Sequence, residues 1–247
     1  MGRDLINTSG PGPLGTSANS PTIDRGTLSL LEHRPSSPRG QRVATSFSLG
    51  SGKTVVFSFD DGPLPKEALL KILSILKINS ITAEFFVLGG EVSRYPEGAR
   101  KIVAEGHQIQ NHSWSHVNLK DANEIKVERE LSETQKVIKE VTGRTPTIIR
   151  PPYGAGGFGR HDPELAHVAK KLSLTIRNWD IDTNDWKGSP FPRGIGVEKI
   201  KAIQKQFEDQ KSKHQFNILM HVQKETADDL EGFIKQLKNW GFSFAKP

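Results

Sequence analysis

From Lys53 onward, short apolar and β-branched runs alternate with longer segments whose apolar residues recur every three to four positions. The run at 54–59 is continuous enough to be a buried strand. The segment 66–77 carries Ala68, Leu69, Ile72, Leu73 and Leu76 at helical spacing. The same alternation continues with a strand at 82–88, a helix at 93–105 and a short strand at 107–110. A long charged amphipathic helix at 121–142 ends at Gly143, a suitable left-handed cap. A strand at 147–150 stops at Pro151-Pro152. Then come a helix at 163–172, a strand at 175–182, a helix at 197–207, a strand at 216–221, a helix at 227–240 and a last strand at 242–245. Strands separated by helices pair in parallel, so the pattern predicts an α/β fold built of βαβ units, a barrel or a strongly curved sheet. Residues 1–45 differ in being rich in Gly, Pro, Ser and Thr, with one apolar piece around Leu28, Leu30 and Leu31. They read as a poorly ordered extension or linker ahead of a domain at 46–247, or alternatively as an ordered arm draped on that domain and anchored by those leucines.

In a parallel architecture the residues just past each strand converge on one face. Here those positions hold Asp60-Asp61, Asn111-His112-Ser113-Trp114-Ser115-His116, Arg150-Pro151-Pro152-Tyr153-Gly154, the run from Asp180 to Trp186, and Leu219-Met220-His221. His112 and His116 are spaced i, i+4, so a helical turn would present both imidazoles to one metal. One carboxylate would complete a two-His, one-Asp set with open positions, a donor set that suits zinc, cobalt or nickel. Such a site lowers the pKa of a bound water and polarises a carbonyl, and an adjacent acid could take the proton. Hydrolysis of an amide or ester follows. His221 is the candidate acid for the leaving group, Arg150 could hold a base carboxylate ionised, and Asp182 or Asp185 could orient His221. The spacing leaves open which of Asp60 and Asp61 binds the metal.

Composition narrows the chemistry. The chain has no cysteine, which excludes disulfides, thiolate nucleophiles and Cys-bound zinc. A net charge of +6 favours anionic surroundings. The basic residues are scattered, which argues against nucleic acid as the partner. No apolar run is long enough for a transmembrane helix, and the first residues contain no apolar core of a secretory signal. Two nucleotide-like strings are decoys. Gly50-Ser51-Gly52-Lys53-Thr54 has Phe47 where a phosphate-binding loop needs glycine, and it precedes its strand. Gly154-Ala155-Gly156-Gly157-Phe158-Gly159 follows a Pro-Pro-Tyr segment, with no acid placed for a ribose. His107 reads as a packing or capping residue, and His33, His161, His167 and His214 as surface residues.

Ser-Phe-Asp-Asp-Gly-Pro at Ser58, Asn-His-Ser-Trp-Ser-His at Asn111, Arg-Pro-Pro-Tyr-Gly at Arg150, Asp-Thr-Asn-Asp-Trp at Asp182 and Leu-Met-His at Leu219 stand in the order of five motifs of a known family. They resemble the polysaccharide deacetylases, the family-four carbohydrate esterases that share the nodulation-type chitooligosaccharide deacetylase domain. The likeness spans residues 53–245. It implies a distorted (β/α) barrel with about seven parallel strands and a divalent metal, usually zinc. It also implies removal of N-acetyl groups from N-acetylglucosamine glycans such as chitooligosaccharides or peptidoglycan, or of O-acetyl groups from xylan. Carried over residue by residue, Asp60 resembles the base, and Asp61, His112 and His116 the metal ligands. Arg150 resembles the residue that orients the base, the Tyr153 N–H an oxyanion donor, and His221 the acid. Asp182 and Asp185 resemble its support, with Trp186 and Leu219 in the pocket wall. The resemblance favours an extracellular or periplasmic location, and a monomer is expected. Ser58 stands where threonine is usual and Val222 where an acid is frequent, yet every group the chemistry needs is present. A non-catalytic glycan-binding homologue is therefore disfavoured.

Overall fold

The computed structural model describes residues 48–120, 122–157 and 162–247, so the expectations for residues 1–45, His33 and His161 lie outside it. Strand β1, Thr54–Gly62, is the axis of the sheet. It pairs in parallel with β2 (Ala83–Val87), with β7 (Gln215–His221) and, at its first residues, with β8 (Ser243–Phe244). Side chains alternate across it. Val55, Phe57 and Phe59 are fully buried in the core beneath the helices, while Ser58 and Asp60 turn to the inner face. β2 repeats the pattern, with Ala83, Phe85 and Val87 in the core and Glu84 inside.

Beyond β2 lie β3 (Gln108–Asn111), β4 (Ile148–Ile149) and β5 (Thr175–Ile176), and beyond β7 lies β6 (Ile181–Asp182). The strand order β5-β4-β3-β2-β1-β7-β6 is parallel throughout, the curled seven-strand α/β sheet that was expected, with β8 off this path. Helices α1 (Lys66–Ile78) and α7 (Lys224–Asn239) pack on the outer face of β1. Between them stand α2 (Gly89–Arg94), α3 (Pro96–Ala104), α4 (Glu124–Thr142), α5 (Pro163–Lys171) and α6 (Val197–Asp209). A smaller core gathers Val127 and Leu131 of α4, Leu165 and Val168 of α5, and Ile149 of β4.

Three expectations about elements need correction. The helix expected at 93–105 is two helices, because Pro96 cannot continue α2 and instead opens α3 at its first position. The long helix begins at Glu124, where the Asn123 side chain accepts from the Lys126 N–H; Gly143 ends it in the left-handed conformation, as expected. The strand expected at 175–182 is two strands at opposite edges of the sheet. Arg177 N–H still bonds Ile149 beside β4, and Asp180 N–H already bonds Asn217 of β7. At no more than about 3.6 Å per residue, the step from Ile176 to Ile181 holds the two edges within about 18 Å. The sheet must therefore curl almost into a barrel, with this span as its seam.

Candidate active site

In a regular strand neighbouring side chains point to opposite faces, so Asp60 and Asp61 should diverge. The register of β1 against β2 shifts between Phe59 and Gly62, and Asp61 takes a left-handed φ of 68°. Aspartate tolerates that region better than most residues. The irregularity turns both carboxylates into one pocket: His112 Nε2 lies 3.7 Å from Asp60 Oδ2 and 3.4 Å from Asp61 Oδ1. His116 Nε2 is 3.3 Å from the same Asp61 oxygen.

The two imidazoles do not sit on a helical turn, as the i, i+4 spacing had suggested. They hang from an irregular loop after β3, with left-handed φ at Ser113 (70°) and His116 (57°). Glu130 of α4 fixes this loop, accepting from Trp114 N (2.8 Å), Ser115 N (2.9 Å) and Ser115 Oγ (2.8 Å). The Ser113 hydroxyl accepts the His116 N–H. His112 Nδ1 donates to the Arg150 carbonyl at 2.6 Å, which leaves its Nε2 lone pair facing the pocket. Asp61, His112 and His116 can each offer one ligand atom within 4.8 Å of the others. The Asp61 Oδ1 between the rings is buried yet without a hydrogen-bond partner, a cost a bound cation would remove. The donor set thus fits a divalent metal. Burial pushes the Asp61 carboxyl up, but His112 beside it, with His221 and His116, brings it down to about 2. Burial pushes the His116 imidazole below its ordinary range, against the pull of Asp61. A carboxylate and a neutral imidazole are the forms that bind metal.

Arg150 is fully buried at the end of β4. Its Nη1 donates to Asp60 Oδ1 (2.7 Å) and Ser58 Oγ (2.8 Å), and its Nη2 to Asn217 Oδ1 (2.8 Å). The guanidinium lies 3.9 Å above the Phe86 ring. Asn217 passes the network to Glu84 through Nδ2 (2.9 Å), and Arg177 pairs with the other oxygen of Glu84. Ser58, Glu84 and Asn217 were not among the residues expected at the site. Glu84 had a readable signal, a charge in the middle of an apolar strand. Asn217, flanked by apolar residues in β7, carried a weaker one.

Across the pocket His221 Nδ1 donates to Asp185 Oδ1 at 2.7 Å. The second Asp185 oxygen accepts from His221 N (2.7 Å) and Thr226 Oγ1 (2.5 Å). Of the two candidate supports, Asp185 touches His221. Asp182 lines the pocket and accepts the Asn184 N–H, and burial raises its carboxyl. Burial works to lower the His221 pKa, but Asp185, with Asp60 and Asp61 behind it, carries it up to about 9. The pocket holds about 370 Å³ between these walls. Tyr153 and Trp186 are exposed at its rim, Leu219 is buried in its floor, and Trp179, which the sequence reading missed, also lines it. Arg150 and Asp185 stand behind the lining. His107 is structural, its Nδ1 accepting the Ala83 N–H.

The sequence profile described as polysaccharide deacetylase matches residues 49–176. The peptidoglycan-N-acetylglucosamine deacetylase PgdA of Listeria monocytogenes is 33% identical over 78% of this chain, which spans 38% of that relative's length. The solved structure of the Bacillus subtilis peptidoglycan deacetylase PdaC superposes with a TM-score of 0.63 at 31% identity, covering 78% of this chain and 86% of that one. A family-four carbohydrate esterase pseudoenzyme from Bacillus anthracis superposes equally well, with a TM-score of 0.63, 26% identity and 78% and 63% coverage. Overall likeness therefore does not separate active from inactive relatives, and the site residues must.

Proposed function

The chain belongs to the polysaccharide deacetylase family, and from that premise we propose that it hydrolyses the N-acetyl groups of an N-acetylglucosamine glycan. The observation that carries this is the buried, unpartnered Asp61 oxygen between two imidazole nitrogens, set beside an Arg-held Asp60 and opposite an Asp-held His221. Asp61, His112 and His116 would hold a divalent metal, zinc first, with cobalt or nickel as alternatives. When bound there, such an ion would supply a Lewis acid for the acetyl carbonyl and a lowered pKa for a water.

Arg150 occupies Asp60 Oδ1, so Oδ2 is the oxygen free to take the water's proton as its oxygen bonds to the carbonyl carbon. The Tyr153 N–H is the proposed donor to the oxyanion that develops. His221 is protonated at neutral pH, and with Nδ1 engaged by Asp185 it gives the Nε2 proton to the departing amine as the C–N bond breaks. Acetate leaves and the sugar amine remains. Trp186 and Leu219 would flank the acetyl methyl, with Asp182 at the wall. The relatives' names and the net charge of +6 favour peptidoglycan, an anionic wall polymer, as the glycan; the chain is read as a monomer acting on it outside the membrane.

Acetate release from peptidoglycan, chitooligosaccharides and acetylated xylan, before and after chelation, tests the reading. Activity on the N-acetyl substrates should vanish on chelation and return with zinc. Asp60→Asn should lose on the order of 10²- to 10⁴-fold in kcat. Chelator-insensitive turnover, or full activity in Asp60→Asn, sinks it; release from xylan alone points instead to an O-acetyl esterase.

A further inference from the structure

Strand β6 is only two residues long and pairs with β7 on one side, so its other edge presents unpaired backbone groups. Helix α6 covers that edge with side chains. Gln206 accepts the Asp182 N–H through Oε1 (2.8 Å) and donates Nε2 to the Asp182 carbonyl (2.8 Å), the pair of bonds a neighbouring strand would make. One turn on, Gln210 Nε2 donates to the Asp180 carbonyl at 2.9 Å. Two turns back, the buried Lys199 places its ammonium between the carbonyls of Asn184 (2.7 Å) and Lys187 (2.9 Å). Residues 199 and 206 share one face of α6, with Gln210 at its C-cap and Ile203 and Phe207 of the core beside them. The two carbonyls gripped by Lys199 bracket Asp185 and Trp186. Every contact is to backbone, so it sets where the segment sits without touching the reacting groups.

We propose that α6 is the positioning element for the acid side of the site, with Lys199 and Gln206 holding residues 182–187 so that Asp185 meets His221. Lys199 makes no ion pair among the described residues and hydrogen-bonds only carbonyls, with Asp185, Asp229 and Asp182 near enough to act on its charge; burying an ammonium like this is a costly way to fill space. Its placement is better explained by the turn it pins. Loss of the grip would let Asp185 drift from His221, and misplacement of about 1 Å at a catalytic group costs on the order of 100-fold in rate.

The inference rests on His221 as the acid, but its test does not require turnover. The His221 imidazole would be titrated by NMR in the full chain for wild type, Lys199→Met, Gln206→Ala, Lys199→Arg and, as benchmark, Asp185→Asn. The charged and titratable groups that act on His221 are Asp185, Asp60 and Asp61, with Asp182 and His116 also facing it. Lys199 itself acts on Asp185 and Asp182, and removing its positive charge by itself works to raise the His221 pKa, against the predicted fall, while Gln206→Ala changes no charge and reads the positioning alone. Lys199→Met and Gln206→Ala should lower the His221 pKa toward the Asp185→Asn value, and Lys199→Arg should restore it in part. In turnover, kcat should fall 10- to 100-fold with KM within about twofold, and the basic limb of the pH profile should move down with the imidazole. His221 titrating as in wild type in both Lys199→Met and Gln206→Ala overturns the proposal, whatever happens to stability. Gln206→Ala keeps the test decisive if Lys199→Met fails to fold. A wild-type chain inactive on every glycan refutes the proposed activity and leaves the titration to judge the positioning.

Discussion

Asp185 has one carboxylate and four donors around it: the ring and backbone N–H of His221, the Thr226 hydroxyl and the Trp186 N–H. It therefore links the proposed acid, strand β7, the start of α7 and the pocket wall. Because the folded His221 pKa lies above its ordinary 6.5, at about 9, its ion pair stabilises the fold fully below pH 6.5, and this contribution is lost as pH rises through about 9. In Asp185→Asn, urea unfolding of the metal-free protein should lose that decline between pH 6.5 and 9. An unchanged pH slope would show that Asp185 does not hold the proton on His221. At this scale the motif residues were legible because they stand at strand ends, where polar groups interrupt apolar runs. The choice of Asp185 over Asp182, and the participation of Asn217, were not, because each depends on which side chain a distant strand brings opposite.

Among the elements, α4 does more for the metal loop than its amphipathic pattern suggests. Its apolar face builds two cores, and Glu130 on the flank gathers the backbone of Trp114 and Ser115 between the two histidines of the proposed metal site. Glu130→Ala should leave far-ultraviolet circular dichroism unchanged while lowering zinc affinity 10- to 100-fold by calorimetry. Equal affinity would mean that the loop holds its shape alone. The helices and central strands were readable from periodicity, and their ends lie close to those expected. The histidine loop was not. An i, i+4 pair fits a helical turn equally well, and only the Glu130 contacts and two left-handed residues decide otherwise. Pro96 was a readable breaker inside the expected helix at 93–105, overridden there by the continuing apolar pattern.

For the molecule as a whole, the curl of the sheet makes the site, since it brings the ends of β1, β3, β4 and β7 around one pocket. The family motifs pointed to that curl, while periodicity ran 175–182 together because it reports which residues are apolar and not which strand they join. β1 has three partner strands and the core on its outer face, whereas β5 and β6 are two residues each at the two edges. Amide hydrogen exchange should therefore be graded. Val55, Phe57 and Phe59 should exchange only with global unfolding, and Ile181 and Asp182 by smaller openings that leave β1 protected. Equal protection at both places would contradict this grading. The seam thus divides the catalytic apparatus by rigidity. The wall with Asp60 and Asp61 is set in the most constrained strand, and the wall with Asp182, Asp185 and Trp186 hangs from the least. Variation that retunes which acetylated sugar is accepted should therefore accumulate in 177–187 and the face of α6 behind it, where the backbone can be reshaped without unfolding the sheet.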